Sequence, residues 1–116
     1  MHRIFFATCA AFLIPCAALL IPCVALGQER VFELVLQDHK FDIERIEVKA
    51  GEKFKIKVTN KDKVFEEFES NAMVFEKFLK PGAQVTVNVG PLKPGEYPYF
   101  AEFHQKTGKG LVVVTP

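Results

Sequence analysis

The chain has 116 residues, with 15 lysines and arginines against 14 aspartates and glutamates, for a formal net charge of +1. So even a balance offers no basic footprint for a nucleic-acid partner, and the length allows one domain with a modest core. Ser70 is the only serine, and no Ser-His-Asp order or glycine-rich phosphate loop accompanies it, so hydrolytic chemistry lacks its usual carriers.

The first element is a leader rather than part of a fold. Arg3 gives a positive start, "IFFATCAAFLIPCAALLIPCVAL" is unbroken apolar sequence, and Ala25 and Gly27 supply the small residues a signal peptidase requires. Residues 1–27 therefore read as a secretory signal peptide and residues 28–116 as the domain. A retained membrane anchor is the alternative, because the apolar run is nearly long enough to span a bilayer. Cys9, Cys16 and Cys23 recur every seven residues inside this leader, and proline precedes both cysteines of the "LIPC" repeats, which spoils a lipoprotein cleavage box. Cleavage near Gly27 leaves no cysteine, hence no disulfide and no thiolate ligand. Removing Arg3 with the leader leaves 14 basic residues against 14 acidic ones.

Short alternating segments with turns about every ten residues then predict an all-β sandwich or barrel. "VFELVL" alternates over residues 31–36 with its buried face ambiguous. His39, in "QDHKF", falls at a strand end. Ile46 and Val48 lead to a turn at Ala50-Gly51, after which Phe54, Ile56 and Val58 point one way and Lys53, Lys55 and Lys57 the other, toward solvent. Between Val64 and Leu79 the apolar residues Phe65, Phe68, Ala72, Phe75 and Leu79 fall at steps of three and four, as in an amphipathic helix. Two short strands joined through "SNAM" suit the same segment. Val85, Val87 and Val89 alternate again, "KPG" at 80–82 and 93–95 marks tight turns, Tyr97, Tyr99 and Ala101 share a face, and "GLVVV" is a final strand. Twelve phenylalanines without a tryptophan promise an aromatic-rich core.

The order of these pieces resembles the cupredoxins from about Phe32 to Val114. Its marks are "F(x)4IxVKAG" from Phe41 to Gly51, "VTNKD" from Val58 to Asp62, "KPGxYPYF", and His104 followed by "KTGKGLVVV". The resemblance implies a Greek-key β-sandwich with a copper site built from a histidine after the third strand and a cysteine, a second histidine and often a methionine from the last hairpin. Carried onto this chain, the cysteine falls on Ala101, the second histidine on His104, the methionine near Lys109 and the first histidine on Glu66. Lacking a thiolate, the chain is not expected to be a blue electron carrier. "EEFES" with Glu76-Lys77, and "FAEFH" before "KTGKG", are similar to the periplasmic cupredoxin-like proteins of bacterial ferrous-iron uptake. That resemblance implies periplasmic localisation, a periplasmic iron-binding protein and a membrane iron permease as partners, and an accessory role in which Fe(II) is oxidised or passed on.

The expected metal ligands are His104, Glu66, Glu67, Glu69 and Glu102, with Met73 as a soft donor whose loop could reach the same pole. Carboxylates with one imidazole suit Cu(II), Fe or Mn in a non-blue site, not Cu(I). Each residue has a plainer reading: Glu66, Glu67 and Glu69 as a solvated acidic turn balancing Lys61 and Lys63, worth ~0–1 kcal/mol; His104 as a turn residue; Glu102 and Glu76 as surface; Met73 as core filler. Two rival functions stand beside it, a metal-free protein-interaction domain and a copper-handling protein concerned with copper storage or resistance. Exposure of Phe65 or Phe103 at the loop pole would indicate docking.

Overall fold

The structure is a computed structural model and describes residues 28–116; residues 1–27, expected to be a signal peptide and carrying Cys9, Cys16 and Cys23, lie outside the described residues. The strands are β1 (Arg30–Gln37), β2 (Lys40–Phe41), β3 (Arg45–Lys49), β4 (Phe54–Asn60), β5 (Glu66–Ser70), β6 (Phe75–Leu79), β7 (Gln84–Val89), β8 (Gly95–Ala101) and β9 (Lys109–Thr115), with a 3-10 turn at Glu102–His104 before β9. Two sheets form, in the orders β2-β1-β4-β7 and β3-β9-β8-β5-β6. They pack face to face as a Greek-key β-sandwich, the architecture that the sequence resemblance implies.

Period-two alternation explains most of this. Phe54, Ile56 and Val58 of β4 are fully buried while Lys55 and Lys57 between them stay half-buried, and β4 pairs parallel to β1 along its whole length, from Arg30 opposite Phe54 to Leu36 opposite Asn60. That pairing settles the ambiguous first strand: Leu34 and Leu36 face the core and Val31 is half exposed. Between the sheets lies an aromatic knot. Phe68 contacts Phe41, Phe75 and Tyr99 at centroid distances of 5.7, 5.0 and 5.8 Å, and Tyr99 donates its hydroxyl to the Ile43 carbonyl. Aromatic pairs of this kind add about 0.5–1.5 kcal/mol beyond their buried area. Gly110 faces Tyr99 across β8 and β9, and any Cβ there would fall on the phenol ring.

The helical periodicity between Val64 and Leu79 is overridden. Strand β5 bonds to β8 on one side and to β6 on the other, whereas a helix would leave the β8 edge unpaired. Of the residues at helical spacing, Phe68 and Leu79 are buried and Phe65 is exposed. The phenylalanine-rich core also needs correction. Among the described residues only Phe41, Phe54 and Phe68 are buried, while Phe65, Phe78 and Phe103 are exposed.

Candidate metal centre

Three connections meet at one end of the sandwich: the β1–β2 hairpin, the segment between β4 and β5, and the turn between β8 and β9. Lys61 N–H donates to the Leu36 carbonyl, Phe103 N–H to Glu66 Oε1, and the Thr107 hydroxyl to the His39 carbonyl, at 2.8, 2.8 and 2.7 Å. Asn60, fully buried, organises the middle connection. Its amide donates to the carbonyls of Val64 and Leu79, and its side-chain oxygen accepts the Asp62 N–H. Both amide hydrogens and the amide oxygen are engaged, which holds the turn that carries Asp62.

Asp62 in turn accepts the N–H groups of Asp38 and His39, at 2.7 and 3.0 Å. These are the two central residues of the hairpin that joins Gln37 to Lys40, and both have positive φ, 53° and 59°. Two-residue hairpin turns of this hand favour glycine at the second central position. Here it is a histidine, held left-handed by a carboxylate from another loop.

The consequence is the position of the His39 ring. It stacks on His104 with centroids 3.6 Å apart and planes within 11°. Glu66, at the start of β5, is 2% exposed and accepts from His104 Nδ1 at 2.7 Å, from Phe103 N–H at 2.8 Å and from Glu67 N–H at 3.1 Å. One ligand atom from each of His39, Glu66 and His104 lies within 4.8 Å of the others. His39 Nδ1 is buried and makes no hydrogen bond; Asp62 Oδ2 lies 3.5 Å from it. A buried ring nitrogen without a hydrogen-bond partner, beside a second imidazole and a buried carboxylate, belongs to a donor set suited to a borderline metal ion.

The structure divides the expected ligands between two faces of β5. Glu66 faces inward with Phe68 and Ser70 and joins His104. Glu67 and Glu69 alternate to the outer face, where Glu76 of β6 completes a second group with ligand atoms mutually within 4.8 Å. Glu102, in the 3-10 turn, acts on Glu69 and accepts from the Gln105 amide, so it belongs to this outer group and not to the histidine pole. Met73 lies beyond the opposite end of β5 from Glu66 and packs half-buried against the core, which removes it from the pole expected for it. Ala101, in the place of a cupredoxin cysteine, is fully buried, and Lys109, near the methionine position, is exposed.

His39 is the residue that sequence reasoning missed. A two-residue turn between alternating runs was visible in "QDHKF", but its partner, Asp62, is 23 residues away. Nothing local announces that the turn folds onto His104.

Against known proteins, the sequence matches the family described as Cupredoxin-like domain over residues 4–114. An uncharacterized protein of Rickettsia prowazekii (strain Madrid E) is 37% identical over 82 residues, which is 71% of this chain and 66% of that protein. Among solved structures, the purple cupredoxin of Nitrosopumilus maritimus superposes with a TM-score of 0.56 at 20% identity, over 72% of this chain and 99% of that one. Auracyanin from Roseiflexus castenholzii gives 0.61 at 14%, over 77% and 98%. The blue copper oxidase of Nitrosomonas europaea gives 0.66 at 17%, over 77% of this chain and 39% of the oxidase. The chain thus spans just under two thirds of the Rickettsia protein and well under half of the oxidase. The structural likenesses establish the fold.

Proposed function

Because the chain belongs to the cupredoxin-like domain family, we propose that it holds one copper ion at a non-blue centre made by His39, Glu66 and His104. The observation that carries this reading is the stacked imidazole pair closed by a fully buried carboxylate, with an unbonded His39 nitrogen among the donors. Copper fits this donor set as Cu(II), which accepts imidazole and carboxylate, and a thiolate-bound blue site does not, since Ala101 stands where the thiolate would be. Bound copper would supply one-electron chemistry.

The chain's own residues do the positioning. Two backbone N–H groups fix Glu66, so its carboxylate cannot swing away from His104. The Asp62 carboxylate fixes the turn that carries His39. Both imidazoles keep about a third or more of their side-chain surface exposed, 40% for His39 and 33% for His104, which leaves an approach from solvent.

Within this reading, the finer role is that of a periplasmic accessory of iron uptake, with Fe(II) as cargo passed toward a membrane permease and a periplasmic iron-binding protein as partner. The similarity carried by "EEFES", "FAEFH" and "KTGKG" supports it. So does the exposure of Val64, Phe65 and Phe103, which flank Glu66 and His104 in the chain and offer an apolar docking surface. No helix among the described residues is long and apolar enough to cross a membrane.

Calorimetric titration of Cu(II), and of Fe(II) without oxygen, into protein expressed from the full sequence tests the proposal. One Cu(II) per chain is expected, with affinity lowered about 10- to 100-fold or more by His39→Ala, His104→Ala or Glu66→Gln. Absence of binding by either metal would leave a partner-binding domain instead.

A further inference from the structure

The way the two imidazoles of the histidine pole stack limits how they can share an ion. Their planes lie within 11° of parallel, with centroids 3.6 Å apart. An imidazole nitrogen binds a metal along a lone pair in the plane of its ring, at about 2.0–2.1 Å for zinc. Planes so inclined and so spaced meet only on the order of 15–20 Å from the rings, far beyond that ligand distance. An ion near both rings would therefore sit well out of the plane of at least one, where no lone pair points. Stacking and joint ligation exclude each other.

The two rings are not equally free to part. His104 Nδ1 is 2.7 Å from Glu66 Oε2, and Glu66 is itself buried and accepts two backbone N–H groups. Behind His104 the turn is tightly packed: its carbonyl accepts the Gly108 N–H at 2.8 Å, and a Cβ on Gly108 would come within 2.6 Å of the Ala101 methyl. His39 differs. Its backbone is fixed, since its N–H goes to Asp62 and its carbonyl accepts the Thr107 hydroxyl. Its ring nitrogen Nδ1 makes no hydrogen bond although it is buried, and 40% of the side-chain surface is exposed. A buried nitrogen without a partner disfavours the stacked arrangement, whereas a turn about the side-chain bonds that closes the 3.5 Å gap from Nδ1 to Asp62 Oδ2 would pair it. A carboxylate on one ring nitrogen also fixes the tautomer that leaves the other nitrogen for a metal.

We propose that His39 is a swinging ligand, whose ring rests on His104 and turns off it, about a backbone held by Asp62 and Thr107, before both imidazoles take one ion. This rests on the copper reading of the pole and adds an order of events to it. His104 and Glu66 form the fixed half and meet the ion first; His39 closes second. The reverse motion re-forms the stack and gives the ion a way out, which suits a protein that passes a metal on rather than one that stores it.

Zinc(II) is the probe, because it is diamagnetic and accepts imidazole and carboxylate donors. Protein expressed from the full sequence, isotopically labelled in nitrogen, is followed by nuclear magnetic resonance of its histidine rings. The chain has three histidines, and His39→Ala and His104→Ala assign the two at the pole. With chelator present, Overhauser contacts between the His39 and His104 rings are expected. At saturating Zn(II) each of these rings is expected to show a metal-bound nitrogen, and the contacts to be lost. Contacts retained at saturation, or a bound nitrogen on one ring alone, would overturn the swing while leaving metal binding at the pole standing. Absence of the contacts with chelator, or no bound nitrogen on either ring, would overturn it as well. In the last case Cu(II) calorimetry on the same sample shows whether the copper reading falls with it.

Discussion

His39 occupies a turn position where a glycine would sit with less strain. A non-glycine residue at positive φ costs on the order of 1–3 kcal/mol and tends to persist where function requires it. Here the φ is 59°, and the residue's backbone is held by Asp62 while its ring meets His104. His39→Gly is therefore predicted to leave the metal-free fold equally stable or to raise its stability by about 1 kcal/mol, while weakening copper binding. Urea unfolding with chelator present, run beside a copper titration, checks both halves, and a large loss of stability would show that the ring is a packing residue. At Ala101 the prediction is spectroscopic. Ala101→Cys puts a thiolate at the position that the cupredoxin resemblance gives to the ligand cysteine, so its Cu(II) form should show an intense visible charge-transfer band that is not expected of wild type. An uncoloured Cu(II) form of that variant would mean that Ala101 does not face the copper position. Residue identities at these two places were legible to different degrees: the missing cysteine could be read from motif order, but His39 could not be paired from its neighbours alone.

Strand β5 shows how local pattern and tertiary pairing can disagree. Its apolar residues suited helix and strand alike, and the choice was made by hydrogen bonding to β8 and β6, which no short window of sequence contains. Once the strand is fixed, alternation separates Glu66 from Glu67 and Glu69, so five acidic and imidazole candidates become two groups. The outer group has a consequence for stability. In the metal-free protein Glu67 is pushed up to about 7 from an ordinary 4.5, first by the hydrogen bond it shares with Glu76, then by burial and the charges of Glu76, Glu69 and Glu102. Burial, followed by the charge of Glu102, raises Glu69 as well. Between pH 4.5 and 7 the folded chain keeps a proton that the unfolded chain releases, so this group's contribution to stability is lost as pH rises through that window. Chemical unfolding across the window, with chelator, should show wild type losing stability relative to Glu67→Gln as pH rises. A constant difference between the two would contradict the assignment.

At the scale of the molecule, the sandwich was the most legible feature. Alternating valines, paired lysine-facing strands and KPG turns specify short strands, and their order specified the family. Near-neutral charge gave nothing further, and the phenylalanine count misled because several of those rings face solvent. What sequence could not supply was the meeting of three connections at one end, since the His39 and His104 hairpins touch only after both sheets have packed. That meeting is the central claim. The direct measurement is electron paramagnetic resonance of one equivalent of Cu(II) on protein expressed from the full sequence, compared with His39→Ala and His104→Ala. The account predicts a non-blue spectrum with nitrogen couplings from both imidazoles, one of which disappears in each variant. A wild-type spectrum unchanged by either substitution would place copper elsewhere and contradict it.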